Sequence, residues 1–299
     1  MGIFRRLISS GEGGASFPFI IRITTTTSNT SFTLPIADYL GLTPNFSVNW
    51  GDGGSGVVTS STDLDKTHVY VSAGTYDISI TGFMPSFKVN NNAGIRGLIV
   101  ALIQWGTVGL RAIDFYGCIN LTSIPGSGTL TGVGGYTGLS EVVSFGNFMR
   151  ATGVTSIPSD IFNYSPNATT FTDSFSSTQI TAIPSGLFDI NVSATNFGSC
   201  FNNCTVLSSV PSTLFDLNVN AISFSSTFRN CISITSPLQF TYNNSVTTFA
   251  NVYNMATTTN AMAGTAPELW NRIPAPVGTD AFRNCINLTN YASIPTIWK

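Results

Sequence analysis

Phe175-Ser176-Ser177-Thr178-Gln179-Ile180-Thr181-Ala182-Ile183-Pro184, Phe201-Asn202-Asn203-Cys204-Thr205-Val206-Leu207-Ser208-Ser209-Val210-Pro211 and Phe228-Arg229-Asn230-Cys231-Ile232-Ser233-Ile234-Thr235-Ser236-Pro237 are three writings of one phrase, set 26 or 27 residues apart. A unit this short cannot bury its own apolar face, so copies must stack into a solenoid with one continuous core. Looser copies flank the three. Phe115-Tyr116-Gly117-Cys118-Ile119-Asn120-Leu121-Thr122-Ser123-Ile124-Pro125 opens the series, and a copy from Phe282 to Pro295 closes it. The period predicts a chain that is mainly β with short helices, with a solenoid over residues 83–299.

Within a unit, Leu121 and Ile124 face inward on a short strand, and Pro125 stops pairing because it lacks the amide proton. Leu187-Phe188-Asp189 and Leu214-Phe215-Asp216 supply further core residues and a turn-capping aspartate. Phe171 and Phe175, Phe197 and Phe201, Phe224 and Phe228, and Phe249 with Tyr253 lie at i, i+4, which predicts one short helix per unit facing the core. That stacking accounts for most of the 22 phenylalanines without a ligand box. Two segments break the period, Gly126–Arg150 and Gln239–Asp280, the second holding a weak copy of the unit and the insertion Met262-Ala263-Gly264-Thr265-Ala266-Pro267-Glu268-Leu269-Trp270. Such insertions become loops on one face, often a binding face, or are tolerated drift. The series ends at Ile294-Pro295-Thr296-Ile297-Trp298 with no polar capping repeat, so this end is expected to meet another subunit.

Ahead of the repeats, residues 17–82 read as a small antiparallel β-sandwich. Phe46, Val48 and Trp50 share one strand face, Gly51-Asp52-Gly53-Gly54 is a turn, and two further strands bracket Ser72-Ala73-Gly74. Residues 83–110 hold joining strands, with Trp105 capping the first rung. Residues 1–16, with the glycine joint Gly11-Glu12-Gly13-Gly14, read as a docking arm or a frayed terminus.

Val48-Asn49-Trp50-Gly51-Asp52-Gly53, Thr67-His68-Val69-Tyr70 and Ala73-Gly74-Thr75-Tyr76-Asp77-Ile78 resemble the polycystic-kidney-disease (PKD) type of immunoglobulin-like domain. That resemblance implies a spacer or adhesion module with no catalytic residue. The recurring Phe-x-Asn-Cys-x-x-Leu-Thr-x-Ile-Pro phrase, often followed by Leu-Phe-Asp, is similar to the BspA-type leucine-rich repeat of bacterial and bacteriophage surface proteins, and the two resemblances together cover most of residues 17–298.

Charged residues are only 9% of the chain and the net charge is −2, with no basic run. The long-range attraction that nucleic acid or an anionic membrane requires is missing, and both are excluded as principal partners. No segment approaches the roughly 20 apolar residues of a membrane span. The first fourteen residues hold no apolar stretch of the ~7 residues a secretory signal needs. Surface-type domains without an export signal fit a particle assembled in the cytosol.

Candidate chemistry is sparse. His68 is the only histidine and falls inside the PKD-like signature, so no serine can be given the usual triad. Asp160, Asp189, Asp216 and Asp280 are candidates for a glycosidase pair, but most sit at phased turn positions. Asp52, Asp63 and Asp65 could hold calcium. Of the five cysteines, Cys118, Cys204, Cys231 and Cys285 share one place in the repeat, which favours inward packing. Cys200 with Cys204 is the only close pair for zinc, and a disulfide between rungs is the other alternative. No catalytic, cofactor-binding or metal residue is assigned and no cofactor is expected. The expected function is that of a non-enzymatic structural or adhesive protein of a bacteriophage virion, a head or tail fibre, decoration or receptor-binding subunit. Its partners would be other virion proteins, met through the N-terminal arm and the C-terminal end in an oligomeric assembly, and a host surface glycan or protein. The alternatives are a bacterial cell-surface adhesin and, less favoured, a glycan-degrading tail enzyme.

Overall fold

The computed structural model describes residues 16–127 and 138–299. The expected docking arm, but for Ser16, lies outside them. The chain is mainly β. Its strands are β1 (Phe19–Thr25), β2 (Thr30–Thr33), β3 (Asn45–Asn49), β4 (Ser55–Val58), β5 (Thr67–Tyr70), β6 (Gly74–Phe83), β7 (Ser86–Lys88), β8 (Ile99–Gln104) and β9 (Ala112–Asp114).

One antiparallel sheet runs β4-β3-β6-β1-β8, and β2 pairs with β5 separately. Alternation decides what is inside: Phe19, Ile21 and Ile23 of β1 and Phe46 and Val48 of β3 are buried, while their strand neighbours are not. The chain does not leave this sheet at the expected boundary after residue 82. β7 departs and pairs in parallel with β9, but β8 between them returns to the free edge of β1.

From β9 onward the order is carried by single parallel bridges. Ala112 bridges Ser144, which bridges Thr170, and the series continues through Asn196, Ser223 and Thr248 to Val277. Beside that line lie three columns of stacked rings. Phe145, Phe171, Phe197 and Phe224 follow one another at 5.5 Å and within 11° of parallel. Phe175, Phe201, Phe228 and Tyr253 do the same at 5.4–5.7 Å. Phe162, Phe188, Phe215 and Phe240 make the third column, between 5.7 and 6.3 Å apart.

The helices expected at each Phe-x-x-x-Phe are absent from the described residues; these segments are runs of turns. The amide protons show why. Phe171, Asp173, Phe175 and Ser177 donate to the carbonyls of Asn196, Gly198, Cys200 and Asn202, one layer on, while Ser174 and Ser176 donate to Phe171 and Asp173 in their own layer. Alternate amides thus leave the segment, so no i→i−4 ladder can form. The geometry requires left-handed residues four apart, and Asp173/Ser177, Ser199/Asn203 and Ser226/Asn230 all have φ between 55° and 61°. At about 1–2 kcal/mol per residue, the two in each layer cost roughly what the four inter-layer hydrogen bonds return at about 1 kcal/mol each. Net cohesion therefore rests on the rings, each contributing about 1.5–3 kcal/mol when fully buried.

A second device was not anticipated. Asn191 Nδ2 donates to Ser165 O (2.8 Å), Asn218 Nδ2 to Phe188 O and Asn191 O (3.1 and 3.0 Å), and Asn243 Nδ2 to Phe215 O and Asn218 O (2.9 and 3.1 Å). These buried carboxamides donate to carbonyls of the preceding layer, a task an acceptor-only aspartate could not perform. Arg272 ends the series: its Nη1 and Nη2 donate to Asn243 O and Phe240 O at 2.7 and 2.6 Å, with the guanidinium 5.3 Å from the Phe249 ring centre.

The layer of Phe282 is covered by residues 296–298. Asp280 and Phe282 donate their amides to Ile297 O and Trp298 O, and Trp298 stacks on Phe282 at 6.5 Å. Gly278 makes that possible, since a Cβ there would come within 2.0 Å of the Trp298 ring. Residues 239–280 are built into the stack, the stretch around Met262 included. Phe240, Phe249 and Tyr253 are core residues, and Ala261 and Ala263 donate to Ile232 O and Thr235 O with Met262 buried between them. Of 126–150, Phe145 and Phe148 are core; the stretch 128–137 lies outside the described residues.

Replacing Phe197 with Ala should destabilise the chain by about 3–5 kcal/mol. Asn218→Ala, which strands two buried carbonyls, should cost about 2–4 kcal/mol. Urea titration checks both, and a loss under about 1 kcal/mol for Phe197→Ala would contradict the column as the source of cohesion.

Candidate functional site

The residues that carry chemistry are mostly engaged in holding the fold. His68 Nε2 meets Asp52 Oδ2 at 2.7 Å, and its ring stacks on Trp50 (5.1 Å, 9°) and meets Tyr70 edge-on. Tyr70 Oη in turn donates to Trp50 O at 2.9 Å. His68 therefore braces the turn that follows β3. The contact with His68 is the main reason the Asp52 carboxyl is held below the usual carboxylate range.

Asp63 accepts from the amides of Thr59 and Asp65, closing its own turn, and Asp65 accepts from the amide of Val57 in β4. With Asp52 tied to His68, the three do not converge. No group of three or more His, Cys, Asp or Glu able to hold a metal occurs among the described residues. The four candidate carboxylates of a glycosidase pair sit in separate layers; Asp280 pairs with Arg283 at 3.6 Å, and Asp189 is exposed.

All five cysteines are free thiols and fully buried. Cys204, Cys231 and Cys285 direct Sγ at the carbonyls of Phe175, Phe201 and Tyr253, one layer back, at 3.0–3.1 Å. A position expected to be simply small and apolar is thus also a weak donor, a role Thr152 and Thr178 fill with a hydroxyl toward Met149 O and Phe175 O in their own layers. Burial pushes the thiols up, Cys204 to about 11 and Cys118 and Cys285 to about 12.

What remains for recognition is the outside of the stack. Thr169, Thr195, Ile222 and Thr247 stand in one column, tied layer to layer by amide-to-carbonyl bonds. Exposed Tyr164, Ile190, Leu217 and Tyr242 stand in another, each preceding its layer's buried Ser165, Asn191, Asn218 or Asn243. On a third side Ser177, Asn202, Asn203, Arg229, Asn230 and Asn254 line a polar groove of about 250 Å³. Sequence reasoning missed this groove because its residues are not neighbours in the chain. The detectable signal was the Asn recurring at 203, 230 and 284, just before each Cys. Neither a protein-family model nor a curated protein matches the chain.

Two outcomes follow from the electrostatics. The native protein should leave its thiols unmodified by an aromatic disulfide reagent at mildly alkaline pH and release the full complement only after denaturation; fast labelling of the folded chain would contradict the burial. The stability that Asp52 contributes is present above the ordinary carboxylate pKa, about 4, and is lost as pH falls through its lowered folded value. Asp52→Asn should therefore flatten the melting temperature against pH on the acid side and leave the rest of the profile unchanged.

Proposed function

We propose that the chain is a non-enzymatic structural and adhesive protein of a bacteriophage particle, in which residues 17–82 act as a PKD-like spacer and residues 83–299 as a leucine-rich-repeat-like solenoid. The observation that carries this reading is the unbroken series of parallel bridges from Ala112 to Val277. It makes a rigid support whose outward columns set mostly neutral side chains in register from layer to layer, suited to recognition by many weak contacts. The resemblance of both parts to surface proteins supports it, as does a composition that relies on Thr, Ser and Asn rather than charge for its exposed face. The N-terminal residues are the proposed attachment to the particle. The C-terminal end of the stack is the proposed contact with a neighbouring subunit.

A host glycan or surface protein is the proposed ligand, with neither nucleic acid nor membrane as principal partner. Among the described residues no helix is long and apolar enough to cross a membrane. Mass spectrometry of purified particles should find the chain in fixed stoichiometry to the major capsid protein. Its absence from particles, with surface labelling locating it on intact cells instead, would replace this reading by that of a cell-surface adhesin. Incubation with host capsule should release no sugar, and Asp216→Asn and Asp280→Asn should change nothing in that assay.

A further inference from the structure

One cation among the described residues stands apart. Every other described lysine and arginine has a side-chain partner: Arg22 with Asp77, Lys66 with Ser61 O, Lys88 with Asp114, Arg96 with Asn91, Arg111 with Glu141, Arg272 with two carbonyls, Lys299 with Tyr291 O. The side chain of Arg229 makes no hydrogen bond, ion pair or ring contact within the described residues. The stacking explains how it comes to be free. Inter-layer bonds place Arg150, Ser176, Asn202, Arg229, Asn254 and Arg283 at one equivalent position. The two other arginines in that column are neutralised, Arg150 by Asp173 at 3.7 Å and Arg283 by Asp280 at 3.6 Å. The positions matching those aspartates are Ser226 in Arg229's own layer and Asn251 in the next, and neither carries charge.

Arg229 also borders the polar groove, whose floor is preorganised. Asn203 Nδ2 donates to Ser177 Oγ (3.4 Å), Asn230 Nδ2 donates to Asn203 Oδ1 (2.6 Å), and the Ala256 amide donates to Asn230 Oδ1 (3.3 Å). This chain fixes both carboxamides and leaves each a spare N–H and a spare lone pair. Asn202 adds a further carboxamide with no side-chain partner among the described residues. A guanidinium fork matches a carboxylate, and fixed carboxamides that both donate and accept match ring hydroxyls. The volume, about 250 Å³, is below that of a drug-sized pocket and suits a single sugar ring.

We propose that this groove is a binding site for a carboxylate-bearing sugar, a uronic acid unit of an acidic polysaccharide, with Arg229 holding the carboxylate and Asn203 and Asn230 the hydroxyls. The assignment deepens the adhesive reading and rests on it for its biological meaning. The site is weak singly and gains from the repeated units of a polymer.

The test is a titration of the full chain with glucuronate, with glucose and acetate in parallel, followed by the side-chain amide resonances of Asn202, Asn203 and Asn230 and the Arg229 Nε–H resonance. Glucuronate should give saturable shifts at these groups that weaken with added salt, glucose none, and acetate a shift at Arg229 alone. Arg229→Gln, whose melting temperature should not change, should weaken glucuronate binding about tenfold or more, and Asn203→Ala should weaken it less. No saturable shift, or equal binding by Arg229→Gln, overturns the site; acetate binding as tightly as glucuronate overturns the sugar assignment. Particles carrying Arg229→Gln separate the two claims. Intact glucuronate binding by the parent chain with unchanged adhesion of the variant particles counts against the adhesive reading alone, whereas absent glucuronate binding with adhesion intact counts against the site alone.

Discussion

An amide proton must be bonded somewhere, and in this chain every second one in the Phe-x-x-x-Phe segments is bonded to the next layer rather than to its own. That single choice of partner excludes the helix, forces left-handed conformations on residues such as Asp173, Ser177, Asn203 and Asn230, and sets each phenylalanine directly over its counterpart. The hydrogen bonds fix the register, and the rings supply the cohesion that the strained backbone does not. The buried carboxamides of Asn191, Asn218 and Asn243 complete the arrangement by satisfying carbonyls that the turns leave behind, at the expense of their own side-chain oxygens, which find no partner among the described residues.

Much of this was legible before any coordinates. The period written at Phe175, Phe201 and Phe228 implied layers sharing one interior, and alternation in Phe46-Ser47-Val48 marked a strand with one buried face. The helix was misread because i, i+4 phenylalanines are equally what two left-handed residues four apart produce when alternate amides turn outward; spacing alone carries no information on where an amide proton goes. The β8 strand was misplaced for a related reason. Its aliphatic run, Ile99 to Ile103, says only that it is buried, and pairing to β1 across more than seventy intervening residues leaves no local trace.

The candidate site was legible in a weaker sense. The Asn recurring before Cys204, Cys231 and Cys285 was visible, but the groove beside Arg229 exists only because stacking brings Ser177, Asn203 and Asn230 into line. The same stacking exposes the difference between Arg229 and its neighbours in the column. Arg150 and Arg283 look equivalent to it in the repeat, yet an aspartate meets each of them and, among the described residues, none meets Arg229. Cohesion and recognition are thus divided by position within the unit: residues facing inward vary little in kind from layer to layer, and the outward ones are where the chain departs from its own pattern.

The most direct test of the account is amide hydrogen exchange resolved to single residues across the central layers. The amides of Phe197, Ser199, Phe201 and Asn203, bonded to Ser223, Ser225, Thr227 and Arg229, should exchange together and as slowly as those of β1 and β6. Fast exchange at these four sites, with protection instead following a local i→i−4 helical pattern, would contradict the inter-layer bonding from which the rest of the structure is derived.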